Sequence, residues 1–159
     1  MHLNWVEAMT SADHAELVRT QKMADAFACG IDDTLISQLV ERFYEAVRQD
    51  DLLGPIFAKH VQDWPLHLAR MKDFWASIMM ESGRLSGSPM QKHVAVGGLD
   101  AAHFARWQSL WNHTLAQIAP SSDVADRFRK AAQRIGESLL TGIQINRGGL
   151  SSISAPSTP

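Results

Sequence analysis

Gly83-Arg84-Leu85-Ser86-Gly87-Ser88-Pro89-Met90-Gln91-Lys92-His93 is the stretch around which this chain is organised. Glycine opens backbone conformations closed to other residues, and proline withdraws an N–H donor, so the run breaks regular structure. It connects two strongly apolar patterns of helical period and delivers one histidine, His93, at its far end. What lies on either side of the break decides the fold.

Upstream, Trp64-Pro65 opens a helix, since proline is tolerated in a first turn. His67, Met71, Phe74 and Ile78 follow at i, i+4, i+7 and i+11 and so share one face, which Trp75 and Met79 widen. Downstream, Gly97-Gly98 permits a tight reversal, and Asp100 can cap a helix whose buried face is Phe104, Trp107, Trp111, Leu115 and Ile118. Pro120 stops that helix. Ser121 or Ser122 caps the next, which carries Val124, Phe128, Ile135, Leu139 and Ile143.

Further back, Asp32 or Asp33 caps a helix running to about Gln49. Leu35, Leu39, Phe43 and Val47 form one row on it, with Ile36, Val40 and Tyr44 in the row beside, a face wide enough for a core helix. Gln49-Asp50-Asp51 and Gly54-Pro55 end it, and Ile56-Phe57 turn back into the apolar interior. No alternation of strand period reaches useful length, and no repeat occurs. The expected fold is all-α.

The two ends read differently. In residues 1–30, Trp5, Ala8, Met9 and Ala12, then Leu17, Met23 and Phe27, are loosely helical in spacing. This is expected to be an appended, helical N-terminal extension that packs weakly and stops at Gly30. Residues 147–159 have the composition of a disordered tail. Between them, 31–146 is expected to form one domain.

The totals exclude several function classes. A chain of 159 residues buries about 70% of its extended surface in folding, enough for a sizeable core. Apolar residues make up 45% and charged residues 20%, as in ordinary globular proteins. A net charge of −2 with no basic stripe argues against nucleic-acid binding. No apolar run approaches the ~20 residues of a membrane span, and no leader pattern opens the chain. With Cys29 as its one cysteine it can form no intrachain disulfide, which suits a reducing cytoplasm.

Phosphate loops, nucleophile elbows and zinc helices are missing, as are paired Glu-x-x-His elements for a di-iron bundle. There is no Cys-x-x-Cys-His attachment site either. His2, His14, His60, His103 and His113 sit in no ligand spacing and read as surface residues. His67 heads an apolar stripe, where it is either a helix-end histidine or a functional one. His93 alone would read as an ordinary loop residue. Five tryptophans can be plain core filler. Yet Tyr44 and Trp107, each with a donor that needs a partner when buried, join His67 from different helices, and three such polar handles can converge on one pocket.

At this point the residues resemble a family. Phe43-Tyr44-Glu45-Ala46-Val47-Arg48-Gln49-Asp50 and Leu53-Gly54-Pro55-Ile56-Phe57 are similar to the group III truncated haemoglobins. So are His67, Phe74-Trp75, Gly83-Arg84, Gly87, Pro89, His93 and Phe104-Ala105-Arg106-Trp107, in order from about Ile31 to Asn146. Leu85 departs from the aromatic common after Gly-Arg, and Gln108 from the leucine common after the tryptophan. The glycine pairs of the other truncated groups are not found at the matching helix ends. The resemblance implies a shortened globin, a 2-over-2 helical sandwich around one b-type haem (protohaem IX).

By the same resemblance, His93 is the proximal iron ligand, Phe57 lies against the porphyrin and Met71 lines the apolar distal side. Tyr44, His67 and Trp107 line the ligand-binding side, and Arg70 is placed for a haem propionate. The implied function is reversible binding of O2, NO, CO or cyanide, serving O2, NO or peroxide chemistry or sensing more than bulk transport, with an electron-donating reductase as partner. The alternatives are a haem-dependent oxidoreductase of peroxidase or nitrite-reductase type, and a helical interaction module without haem.

Overall fold

The computed structural model describes residues 10–80 and 89–153. Trp5, Ala8 and Met9, and Gly83 through Ser88 of the central break, lie outside the described residues. The described chain forms α1 (Ser11–Ala28), α2 (Asp33–Gln49), α3 (Gly54–His60), α4 (Trp64–Met80), α5 (Pro89–Val96), α6 (Ala101–Ile118) and α7 (Ser122–Ile153), with no strand among the described residues. The all-α expectation holds.

Caps set the boundaries much as their chemistry dictates. Asp32 accepts from the Leu35 N–H at 2.8 Å and starts α2. Asp100 accepts from the Ala102 N–H at 3.0 Å, while His103 Nδ1 accepts from the Asp100 N–H at 3.2 Å, closing a capping box on α6. Ser121, rather than Ser122, accepts from Val124 at 3.2 Å and opens α7. Gly97 and Gly98 reverse the chain at φ of 69° and 70°, the left-handed region that glycine enters without a Cβ clash.

The core is one cluster. α2 packs against both α4 and α6, and α6 packs against α7, so two helix pairs lie one over the other. Phe43, Trp75, Trp111 and Phe128 fill the centre. Trp111 is fully buried, stacks on Trp75 with ring centroids 4.4 Å apart, and donates its indole N–H to the Phe128 carbonyl at 3.2 Å. A buried indole with that bond satisfied is core, not site.

Four expectations are corrected. First, α3 replaces a simple re-entrant turn: at this length no periodicity can show, but Pro55 in its first turn is pre-set for a helix. Gly54 is required there because a Cβ would lie 2.9 Å from the Arg48 carbonyl. Second, His93 does not sit in a connection but on helix α5, which begins at Pro89. Third, Ile78 is 38% exposed and points away from the buried part of α4, where Trp75, Ala76 and Met80 are covered instead.

The fourth concerns the C-terminal end. α7 continues beyond Asn146 to Ile153, into the segment read as a disordered tail. Leu139 and Ile143 carry the buried stripe forward, and the Arg147 guanidinium donates to the Leu99 carbonyl. Once nucleated, each added residue contributes a further helical hydrogen bond. Residues 154–159 of that expectation lie outside the described residues. At the other end, α1 is a single helix that packs on α4 and buries only Ala26, with Leu17, Met23 and Phe27 exposed.

Candidate functional site

Tyr44 reaches the inner face of α2 because it follows Val40 and Phe43 around the helix, and it is 6% exposed. His67, one turn into α4, meets it edge to face with ring centroids 5.0 Å apart. Phe57 from α3 lies 5.7 Å from Tyr44 and 6.2 Å from His67. Trp64 closes the group at 5.6 Å from His67 and 5.9 Å from Tyr44. Three rings from three helices thus surround one imidazole.

Within this cage the Nε2 of His67 is buried and has no hydrogen-bond partner. A buried polar atom without a partner is costly and rare in a settled core. Burial is the main reason that His67 is held below the ordinary imidazole range, since charging it there would lose solvation. The nearby basic side chains Arg70, His93 and Lys92 push the same way. His93 and Lys92 belong to α5, so this helix lies within electrostatic reach of the cage. At neutral pH His67 is the uncharged imidazole.

Burial also holds the Tyr44 phenol far above its ordinary range, so it remains an O–H donor. Met71 and Phe74 are half-buried on the same helix as His67, and His93 is half-buried on α5. Arg70 is exposed on α4. Trp107 stands one ring further away. Phe43 intervenes, 5.0 Å from Tyr44 and 6.1 Å from Trp107, and Trp107 runs parallel to Trp111 at 6.4 Å.

The structure therefore brings Tyr44, His67 and Phe57 into direct contact, keeps Met71 and His93 nearby, and holds Trp107 behind Phe43. Trp64 was read only as a helix start. Its position three residues before His67, which puts it on the same helical face, was the signal that it belongs to the cage. The guanidinium of Arg48 lies 4.5 Å over the Trp64 ring, a contact between helices that no local spacing announces. Asp50, expected only as part of the end of α2, does more. It caps Leu52 and Leu53 and receives Arg106 at 3.3 Å, tying the α2–α3 turn to α6.

A larger cavity of about 510 Å3 lies elsewhere, among α1, α4 and α7, lined by Lys22, Cys29, Met79 and Arg127 among others. It is an open surface recess with mixed walls and does not touch the cage. No helix among the described residues is long and apolar enough to cross a membrane.

No protein-family model matches the chain. A curated relative does. Group 3 truncated hemoglobin ctb of Campylobacter jejuni is 34% identical over 109 residues, spanning 66% of this chain and 85% of that protein. The crystal structure of group III truncated hemoglobin from Campylobacter jejuni superposes with a TM-score of 0.67 at 28% identity, covering 71% of this chain and 91% of that one. A 2/2 hemoglobin from Synechococcus shares the fold, with a TM-score of 0.58 at 22% identity over 68% of this chain and 88% of that one. At 34% identity over 85% of that relative's length, and with the fold shared, this chain belongs to the group III truncated haemoglobins.

Proposed function

We propose that the chain binds one haem b between α4 and α5 and uses it to hold small diatomic ligands. The observation that carries this reading is the buried, unpartnered Nε2 of His67, set in an apolar cage with His93 within electrostatic reach. Such an atom fits a site whose remaining partner is a ligand, and the half-buried Met71 and Phe74 offer an apolar wall to a flat ring. His93 would hold the iron through a neutral imidazole lone pair, Phe57 would offer its ring to the porphyrin, and Arg70 would pair with a propionate. Bound haem supplies iron with one coordination position open to a ligand.

The protein's own groups then decide what is held and for how long. The Tyr44 hydroxyl offers a donor within the cage, with the Trp107 indole N–H as a second donor one ring further off behind Phe43, and burial keeps the Tyr44 proton in place. Donors in a water-poor pocket favour a polar diatomic and slow its release. Slow release suits O2, NO or peroxide chemistry or sensing better than bulk delivery. Returning the iron to its ferrous form calls for an electron-donating reductase. A second reading, peroxide reduction, is favoured by one feature: His67 is held neutral and can accept a proton at Nε2.

An optical spectrum of the purified ferrous protein, deoxygenated and then under CO, tests the reading. A Soret band that shifts on CO addition is expected. In His93→Gly the five-coordinate signature should vanish, and added imidazole should restore it. A wild-type chain without haem absorbance, even with haem supplied during expression, rejects the proposal.

A further inference from the structure

α7 runs on past the last residue that it buries, and what it meets there is the chain leading away from His93. Ile143 is that last buried residue, while Gln144 through Gly148 are exposed, Ile145 at 70%. A helix end that covers no core tends to fray. This exposed turn nevertheless carries Arg147, whose guanidinium donates to the carbonyl of Leu99, 48 residues back in the chain. Leu99 is 8% exposed and is the first buried residue after α5. A hydrogen bond from a charged donor is among the stronger kinds, and this one ties two distant segments together.

α5 needs such a hold. From Lys92 to Val96 none of its residues is buried: His93, Val94 and Val96 are half-buried, and Lys92 and Ala95 are exposed. α7 is the helix on which it chiefly packs. Few buried contacts put an element at the low-stability end of a fold. The joint behind α5 is loose as well. Gly97 and Gly98 are exposed, stand at φ of 69° and 70°, and have open space for 4 Å around the place of a Cβ. Glycine restrains its own backbone less than any other residue, so the joint does not set its own angle. His93 sits one turn before that joint. What fixes the angle at which α5 presents its histidine must therefore lie beyond the glycines.

We infer that Arg147 is a positioning residue for His93: by pinning the Leu99 carbonyl to α7 it clamps the Gly97–Gly98 joint and fixes how α5 presents the imidazole. This rests on the haem-binding reading above and adds to it a residue from the far end of the chain. Groups that orient a metal-ligating histidine tune the metal through it. The exposed extension of α7 gains a purpose in the same step. Such a clamp acts on the bond between imidazole and iron only because the imidazole is tethered to α5. An axial ligand with no tether to the chain would not feel it. A bond that merely stabilised the fold would change the melting temperature and leave the iron's ligation as it was.

The test is resonance Raman spectroscopy of the haem-loaded protein, ferrous and deoxygenated, where the iron–histidine stretching band reports that bond directly. Arg147 is exposed, so replacing it spares the core. In Arg147→Ala the band should move to lower frequency and broaden, and Arg147→Lys, which keeps a cationic donor, should recover part of the shift. Hydrogen exchange on the same loaded protein gives a readout independent of the iron. The α5 amides should exchange about three- to tenfold faster in Arg147→Ala, while those of α2 and α6 keep their wild-type rates. The tether is tested in His93→Gly supplied with imidazole, where adding Arg147→Ala should leave the iron–imidazole band in place. A band identical to wild type in loaded Arg147→Ala, or unchanged exchange in α5, overturns the inference and leaves the haem site standing. A shift that persists with free imidazole overturns it too, since Arg147 would then act on the iron without α5. A chain that takes up no haem overturns both readings.

Discussion

Replacing Tyr44 by phenylalanine removes one oxygen and leaves the ring in place. The ring contacts to Phe43 and His67 at 5.0 Å, to Phe57 at 5.7 Å and to Trp64 at 5.9 Å do not involve that oxygen, so the cage keeps its packing. Stability should stay within about 1 kcal/mol of wild type. Ligand retention should not. A hydroxyl on a residue 6% exposed has little competing water, so its bond to a polar ligand is worth about 1–3 kcal/mol. That converts to roughly 5- to 150-fold faster O2 release. Because burial raises the phenol far above its ordinary range, the donor keeps its proton and the ratio should be flat from mildly acid to mildly alkaline solution. Stopped-flow displacement of O2 by CO, with O2 association measured alongside, reads the effect. The association rate should barely change. An O2 release rate equal to wild type, in a variant that still folds and loads haem, would remove Tyr44 from ligand retention.

Three further outcomes follow from the packing and the charge. Trp111→Ala should lower unfolding stability by about 3–5 kcal/mol in denaturant titration, since it empties the centre of the Phe43–Trp75–Phe128 cluster and leaves the Phe128 carbonyl without its donor. Gly54→Ala should cost about 1–3 kcal/mol, read as a lower melting temperature, because its Cβ would press on the Arg48 carbonyl at 2.9 Å; an unchanged melting temperature would show that the α2–α3 turn can give way. His67 contributes a pH dependence of definite sign. Its folded pKa lies below the ordinary 6.5, so unfolded chains take up the proton first, and stability is whole above that value and declines as pH falls below it. In His67→Phe the same melting series should be flatter between neutral and mildly acid pH.

Much of the fold was legible because it rests on local rules. The rows Leu39-Phe43-Val47 and Val124-Phe128 buried as their spacing required, with Leu35 half-buried at the end of its row, and Asp32, Asp100 and Ser121 capped as their side-chain chemistry required. Where local rules ran out, reading failed in specific ways. α3 is too short to show a period. The Pro89 helix hid behind glycines and serines that signal a break. Ile78 obeys the same spacing as Met71 and Phe74, yet only the neighbours of α4 decide which part of the stripe is covered.

The sequence by itself determined the helical class and the family, and it offered Tyr44, His67 and Trp107 as polar residues to place. Periodicity, capping and motif order are properties of neighbouring residues, and neighbours are what a sequence displays. Only the tertiary structure decided that Tyr44 touches His67 while Trp107 stands behind Phe43. It alone closed Arg48 over Trp64. Those facts depend on how far apart helices sit and how they are rotated. Both are settled by the packing of the whole core, to which every buried side chain contributes at once.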